Sequence, residues 1–314
     1  MQKTADGELQ KMVNAKVVNY YNLTQEDYNK YYITEHLGMH FGYWDNTVKS
    51  HGESLAKMNE VCANTAKIRK TDLVLDAGCG VGGSSIWIAK NTGARVIGIT
   101  LVQKQLEYAN KFTNEKGVEH LAHFKIMDFT NTEFDDETFD IVWALESSCY
   151  ANDKRAFIAE SYRILKKGGR LMVADGFLKK DPDKLTEPER SAMEEWTAGW
   201  AVPNLASIEE FRKYLVDLGF EDVKFNDITE NVMPTSKLIS SLGRKRLWLW
   251  RCLFSWWWLP TAKLINSLES KEGSQLNLLF DSKMQLVDSR AMITQLKCLE
   301  DGTWGYVIFS AKKR

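Results

Sequence analysis

Short apolar runs rich in β-branched residues alternate with amphipathic stretches through the middle of the chain. Leu73–Asp76 reads as a strand, followed by a glycine-rich turn and a helix from about Gly83. Arg95–Thr100 is a strand followed by a helix through Lys116, and His123–Met127 and Phe139–Ala144 are further strands. Asp153–Leu165 has helical spacing, closed by Gly168-Gly169, and Arg170–Ala174 is again a strand. Strands alternating with helices over residues 71–176 predict a parallel sheet with right-handed crossovers. Residues 1–70 read as a helical lead-in with many tyrosines (Tyr20, Tyr21, Tyr28, Tyr31, Tyr32), a loop at Met39–Asp45 and an amphipathic helix over 53–68. Residues 177–314 are mostly helical, with strand candidates at Asp222–Ile228 and Trp304–Ala311 that would extend the sheet as an antiparallel edge. The pattern predicts one α/β unit: a doubly wound, mostly parallel sheet with a helical lead-in and a helical cap.

Composition narrows the classes. Of 314 residues 44% are hydrophobic and 26% charged, which excludes disordered and collagen-like chains. The formal net charge of −1 gives no basic field for nucleic acid. No apolar run reaches the roughly 18–20 residues a bilayer span needs, and the polar start MQKTADGELQK lacks a signal core. Cys62, Cys79, Cys149, Cys252 and Cys298 are scattered without a CxxC pair, so they read as reduced thiols of a cytoplasmic protein. His120 and His123 have no acidic or cysteine partners in the pattern, and no metal site is expected.

The strongest signal is Val74-Leu75-Asp76-Ala77-Gly78-Cys79-Gly80-Val81-Gly82-Gly83, a strand entering Gly-x-Gly-x-Gly and then a helix. Glycines there permit positive φ and close approach of a ligand to the backbone. In a doubly wound sheet such a turn marks the switch point where nucleotides bind. Asp76, two positions before Gly78, would repel a pyrophosphate and suits a ligand with an ammonium group.

This segment resembles motif I of the class I S-adenosylmethionine-dependent methyltransferases, whose fold is a seven-stranded Rossmann-like sheet. The resemblance covers roughly residues 20–235 and is most specific around 74–105 and 139–175. It implies that Gly78, Gly80 and Gly82 wrap the methionine part of S-adenosylmethionine and that Asp76 orients it. Many members end the second strand with an acidic residue; this chain reads Gly98-Ile99-Thr100-Leu101-Val102-Gln103-Lys104-Gln105 instead. That departure is similar to the subgroup of sterol, tocopherol and prenyl-diphosphate methyltransferases and cyclopropane synthases. By that likeness Thr100 and Gln105 serve the ribose, Asp128 the adenine amino group, Phe129 or Leu101 the ring, and Ala144 and Tyr20 also touch the cofactor; an exposed helix residue and a loop-capping carboxylate are the other readings of Gln105 and Asp128.

Glu146 follows the strand Phe139–Ala144, at the rim where ligands of parallel sheets gather. The resemblance makes it the base or the stabiliser of a carbocation; a helix-start carboxylate is the other reading. In the loop His40-Phe41-Gly42-Tyr43-Trp44, His40 is the second catalytic candidate, facing the substrate, with a structural histidine the other reading. Tyr21, Tyr150, Trp200, Thr229, Glu230 and Trp248 are the expected acceptor-side residues.

Five of the 11 tryptophans lie between Trp248 and Trp258, inside the basic and aromatic stretch 244–260. Three readings stand for it: a cap on a lipophilic pocket, a peripheral membrane contact, or a buried helix or dimer contact. The expected activity is methylation of a small hydrophobic acceptor, on carbon of an isoprenoid, with magnesium only for a diphosphate. N-methylation of a small amine is the alternative, and a non-catalytic cofactor-binding module at a membrane the third. A homo-oligomer is left open.

Overall fold

The apolar runs become a seven-stranded sheet because most of them are apolar on both faces, which requires cover on both sides. The structure is a computed structural model that describes residues 2–31, 33, 35–255 and 274–314. In chain order the elements are α1 (Gln2–Tyr31), α2 (His51–Ala66), β1 (Leu73–Ala77), α3 (Gly83–Thr92), β2 (Arg95–Thr100), α4 (Gln103–Lys116), β3 (Ala122–Ile126) and β4 (Phe139–Leu145). There follow α5 (Lys154–Ile164), β5 (Leu165–Leu178), α6 (Glu187–Gly199), α7 (Ile208–Asp217), β6 (Phe220–Asp227), α8 (Thr229–Ser255), α9 (Ser274–Glu300) and β7 (Trp304–Lys313). The sheet order is β3-β2-β1-β4-β5-β7-β6. Strands β1 to β5 pair in parallel. The chain direction reverses its winding between β1 and β4, which places a ligand crevice at their carboxyl ends.

The last two strands depart from the expected antiparallel edge. Only β7 is antiparallel, and it lies inside the sheet, paired with β5 from Arg170↔Lys312 to Leu178↔Trp304 and with β6 on its other side. The reason is in the residues. Trp304, Tyr306 and Ile308 point into one core layer while Val307, Phe309 and Ala311 point into the other. A strand apolar on both faces belongs in the interior; β6 is exposed along most of its length and takes the edge. No described helix is long and apolar enough to cross a membrane.

Candidate active site

Two cavities open along the carboxyl ends of the parallel strands. The narrower, about 90 Å³, is lined by Asp76, Gly78, Gly80, Thr100, Leu101, Gln105, Met127 and Phe129, with Val17, Tyr21 and His40 opposite. The larger, about 500 Å³, is lined by Phe41, Trp196, Trp200, Trp304, Tyr306, Ile239, Leu242 and Met292. Tyr21, Met39, Glu146 and Tyr150 belong to both walls.

The narrow cleft is built by the glycine turn. Gly78 has φ +92°, and a Cβ there would collide with Ser147, so nothing larger fits between β1 and the turn after β4. Gly80, at φ +52°, has only the Met39 sulfur near its missing Cβ, leaving backbone open to a ligand. Asp76 is buried and accepts one side-chain hydrogen bond, from Ser85 Oγ at 2.6 Å. Burial pushes its carboxyl up to about 6, and a cation in the cleft would relieve that cost. One and two strands away, past the ends of β2 and β3, Leu101 and then Met127 and Phe129 supply an apolar wall. A carboxyl end and an apolar end in one cleft fit the ammonium and the purine of S-adenosylmethionine.

Thr100 and Gln105 line the cleft but are bonded within the fold, and several other expected cofactor residues take other places. Thr100 donates to Gln105 Oε1 at 2.7 Å, and Gln105 donates to Gln25 of α1 at 3.1 Å, so the ribose-side pair is bonded to itself and to α1. Asp128 does not line the cleft: Thr130 donates to it through backbone and hydroxyl at 2.7 Å, and Asn14 Nδ2 at 2.6 Å. Tyr20 is turned from both cavities, its hydroxyl near Tyr28 and Asp288, because successive helical positions point about 100° apart and Tyr21 takes the inward one. Ala144 lies in the core layer on the far face, since strand side chains alternate and Leu145 is the one that reaches the cleft. Gly82, at φ +85°, packs under Phe124 at the start of α3.

Glu146 stands at the junction. Its φ is +51°, a left-handed conformation that non-glycine residues adopt at a cost and that concentrates at functional sites. Its Oε1 accepts from the Phe41 backbone N–H at 2.5 Å and from the Tyr306 hydroxyl at 2.7 Å. Burial, opposed by those two donors and reinforced by Asp175, pushes its carboxyl up to about 8. Asp175 also lines the large cavity, held by Ser148 Oγ at 2.7 Å and the backbone N–H groups of Cys149 and Gly176 at 2.9 Å. The Tyr21 and Tyr150 hydroxyls meet at 2.9 Å across the same junction.

His40 faces the narrow cleft and not the large cavity, which corrects its expected substrate-facing position. Its Nδ1 lies 2.9 Å from the Phe41 carbonyl, and burial pushes the ring down to about 4, so it is neutral near pH 7. Trp200 lines the large cavity, beside Phe41 and Trp196. Thr229 and Glu230 line neither cavity. Thr229 Oγ1 donates to Asp227 at 2.5 Å and accepts from the Tyr306 N–H at 3.1 Å, tying α8 to β7, and Glu230 is exposed. Trp248 is 64% exposed and off the wall, because Ile239, Leu242, Lys245, Arg246 and Leu249 share the inward helical face. The rest of the tryptophan-rich reading, Trp256–Pro260, lies outside the described residues. Among the described residues no group of three or more His, Cys, Asp or Glu side chains is arranged to hold a metal.

Tyr306, Asp175 and Gln25 were missed from sequence. The signal for the first two was present: a phenol and a carboxylate inside runs that are otherwise apolar on both faces, where a polar group needs a partner.

The sequence profile of a methyltransferase domain matches residues 75–173. A sterol 24-C-methyltransferase of Kluyveromyces lactis is 30% identical over 229 residues, 72% of this chain and 61% of that protein. The 27-O-demethylrifamycin SV methyltransferase of Amycolatopsis mediterranei is 30% identical over 63% of this chain and 71% of its own. The chain thus spans about three fifths of the sterol methyltransferases it matches, at 61% and 58% of their lengths. A solved geranyl diphosphate C-methyltransferase of Streptomyces coelicolor shares the fold with a TM-score of 0.66 at 18% identity, covering 96% of this chain and 98% of that one. With that domain, those relatives and a seven-stranded sheet whose glycine turn and Asp76 frame the cleft, the chain belongs to the class I S-adenosylmethionine-dependent methyltransferases.

Proposed function

We propose that the protein methylates a small hydrophobic acceptor on carbon, the acceptor being an isoprenoid, a sterol-like ring or a prenylated ring. The observation that carries this reading is the shared wall of Tyr21, Met39, Glu146 and Tyr150 between the cofactor cleft and the aromatic cavity. When bound, S-adenosylmethionine supplies an electrophilic methyl group on sulfur. Asp76 and the Gly78–Gly80 backbone hold its amino-acid end, and Leu101, Met127 and Phe129 pack its purine. Phe41, Trp196, Trp200 and Trp304 surround the acceptor and exclude water. Adding a methyl group to an alkene leaves a cation one carbon away. Glu146 answers that cation: Oε1 is fixed by Phe41 and Tyr306, and Oε2 has no partner among the described residues, which leaves it to take the proton. The names of the relatives, a sterol C-methyltransferase among them, support a lipophilic acceptor.

A second reading rests on the acids of the large cavity. Asp27, Glu146, Asp175 and Asp288 outnumber Lys245 and Arg246 there, which suits N-methylation of a small amine. Transfer of labelled methyl into prenyl diphosphates, sterols and prenyl-quinols on one side, and small amines on the other, separates the two. Label in the lipophilic pool and a loss of about 100-fold or more in Glu146→Gln support the carbon reading. Label only among amines, with a loss under about tenfold, overturns it. Magnesium dependence would mark a diphosphate acceptor.

A further inference from the structure

The wall of the large cavity is mostly apolar, with one ion-paired patch, and Lys245 beside it, outside the Glu146–Asp175 region. Asp27 of α1, Arg246 of α8 and Asp288 of α9 all line it. One terminal nitrogen of Arg246 donates to Asp27 Oδ2 at 2.8 Å and the other to Asp288 Oδ2 at 3.0 Å. Behind the wall the Tyr20 hydroxyl donates to the other Asp288 oxygen at 3.3 Å and lies 3.2 Å from the hydroxyl of Tyr28, which itself lines the cavity. The side chains keep 32%, 25% and 12% exposure for Asp27, Arg246 and Asp288, so a ligand can reach them.

Joining three helices does not require this. Apolar side chains of similar volume hold helices together without taking charge out of water, and a buried ion pair is weak support for stability. Arg246 also continues the inward row of Ile239, Leu242 and Leu249, where an apolar residue would complete the wall. The patch offers a donor and acceptors side by side. An anion would find no excess of positive charge, since Asp27 and Asp288 balance Arg246 and the neighbouring Lys245, and a hydrocarbon would strip water from the ion-paired groups and replace it with nothing. A hydroxyl both donates and accepts and satisfies the pair without adding charge.

We infer that Arg246 and Asp288 bind a hydroxyl of the acceptor, which makes the acceptor an amphipathic alcohol with an apolar body. This rests on the methyltransferase reading of the two cavities. The test is direct binding, without turnover, to the whole chain saturated with S-adenosylhomocysteine. Farnesol, farnesene and farnesylamine share a skeleton and differ at one end. Each is titrated against quenching of the tryptophans, of which Trp196, Trp200 and Trp304 line the cavity. Farnesol is expected to bind about tenfold or more tighter than farnesene, because a site built for a hydroxyl rejects the analogue lacking it. Asp288→Asn and Arg246→Met are each expected to weaken farnesol by about fivefold or more and to leave farnesene within about twofold. Equal binding of farnesol and farnesene to the unaltered protein overturns the inference, and so does equal weakening of both ligands in the variants. Tighter binding of farnesylamine than of farnesol would assign the patch to a cation and overturn it too. Binding of none of the three overturns the inference together with the acceptor cavity. Calorimetry of S-adenosylhomocysteine then shows whether the cofactor reading fails with them.

Discussion

Glu146 carries a left-handed backbone, a carboxyl raised to about 8 and, among the described residues, only one anchored oxygen. A base must be ionised, so kcat/KM should rise with pH through a limb near 8 in the free enzyme. The Tyr306 hydroxyl bonds the ionised form and lowers this value, so Tyr306→Phe should move the limb to higher pH. A pH–rate profile checks it, and an unmoved limb would reduce Tyr306 to packing. The same carboxyl has a stability sign. Its folded value lies above the ordinary 4.5, so the native state holds the proton more tightly than the unfolded chain does. Its contribution is full below about 4.5 and is lost as pH rises toward 8. Glu146→Gln has no such loss. Urea unfolding should find it roughly 1–3 kcal/mol more stable than the unaltered protein at pH 9, with the margin vanishing near pH 4.

Two glycines separate backbone conformation from space at the level of elements. Gly78, between β1 and α3, has φ +92° and Ser147 against its missing Cβ. Gly117, closing α4, has φ +70° and nothing within 4 Å. Gly117→Ala should cost about 1 kcal/mol, the left-handed penalty alone. Gly78→Ala should cost about 2–4 kcal/mol and abolish S-adenosylhomocysteine binding, since backbone strain and collision add and the cleft wall moves. Denaturant titration and calorimetry on the pair decide it. The Gly78 turn was readable because its chemistry is local: strand, glycines and helix are contiguous. The strands from β1 to β5 were readable for the same reason, each a short apolar run bounded by turns. The position of β7 was not, because it depends on which long-range neighbour buries a strand apolar on both faces. Trp248 shows the same limit on a helix. Its aromatic character suggested a pocket, whereas the phase of α8 gives that wall to Lys245, Arg246 and Leu249. Tyr306 lies 160 positions from Glu146, and no spacing rule joins them.

Across the whole molecule, α1 bridges the two cavities. Val17 and Tyr21 line the cofactor cleft, and Tyr21, Thr24, Asp27 and Tyr28 line the acceptor side. Asn14 and Gln25 of the same helix bond Asp128 and Gln105, two of the groups expected at the adenine and ribose. The cleft beneath holds about 90 Å³, against the roughly 300–1,000 Å³ of ordinary small-molecule sites. A nucleoside therefore needs these contacts to part, and a helix that must part to admit a ligand and then close on it is a region of low local stability in the free protein. Hydrogen exchange should find the amides of α1 among the fastest of the described helices without ligand, and markedly slowed by S-adenosylhomocysteine, while β1 and β4 change little. Gln25→Ala removes one of the contacts that must break. It should speed S-adenosylhomocysteine association in stopped-flow measurements about two- to fivefold, one hydrogen bond's net worth. Unchanged exchange in α1 on binding would mean that the cofactor enters without moving this helix, and the contacts of Asn14 and Gln25 would then be fixed parts of the fold.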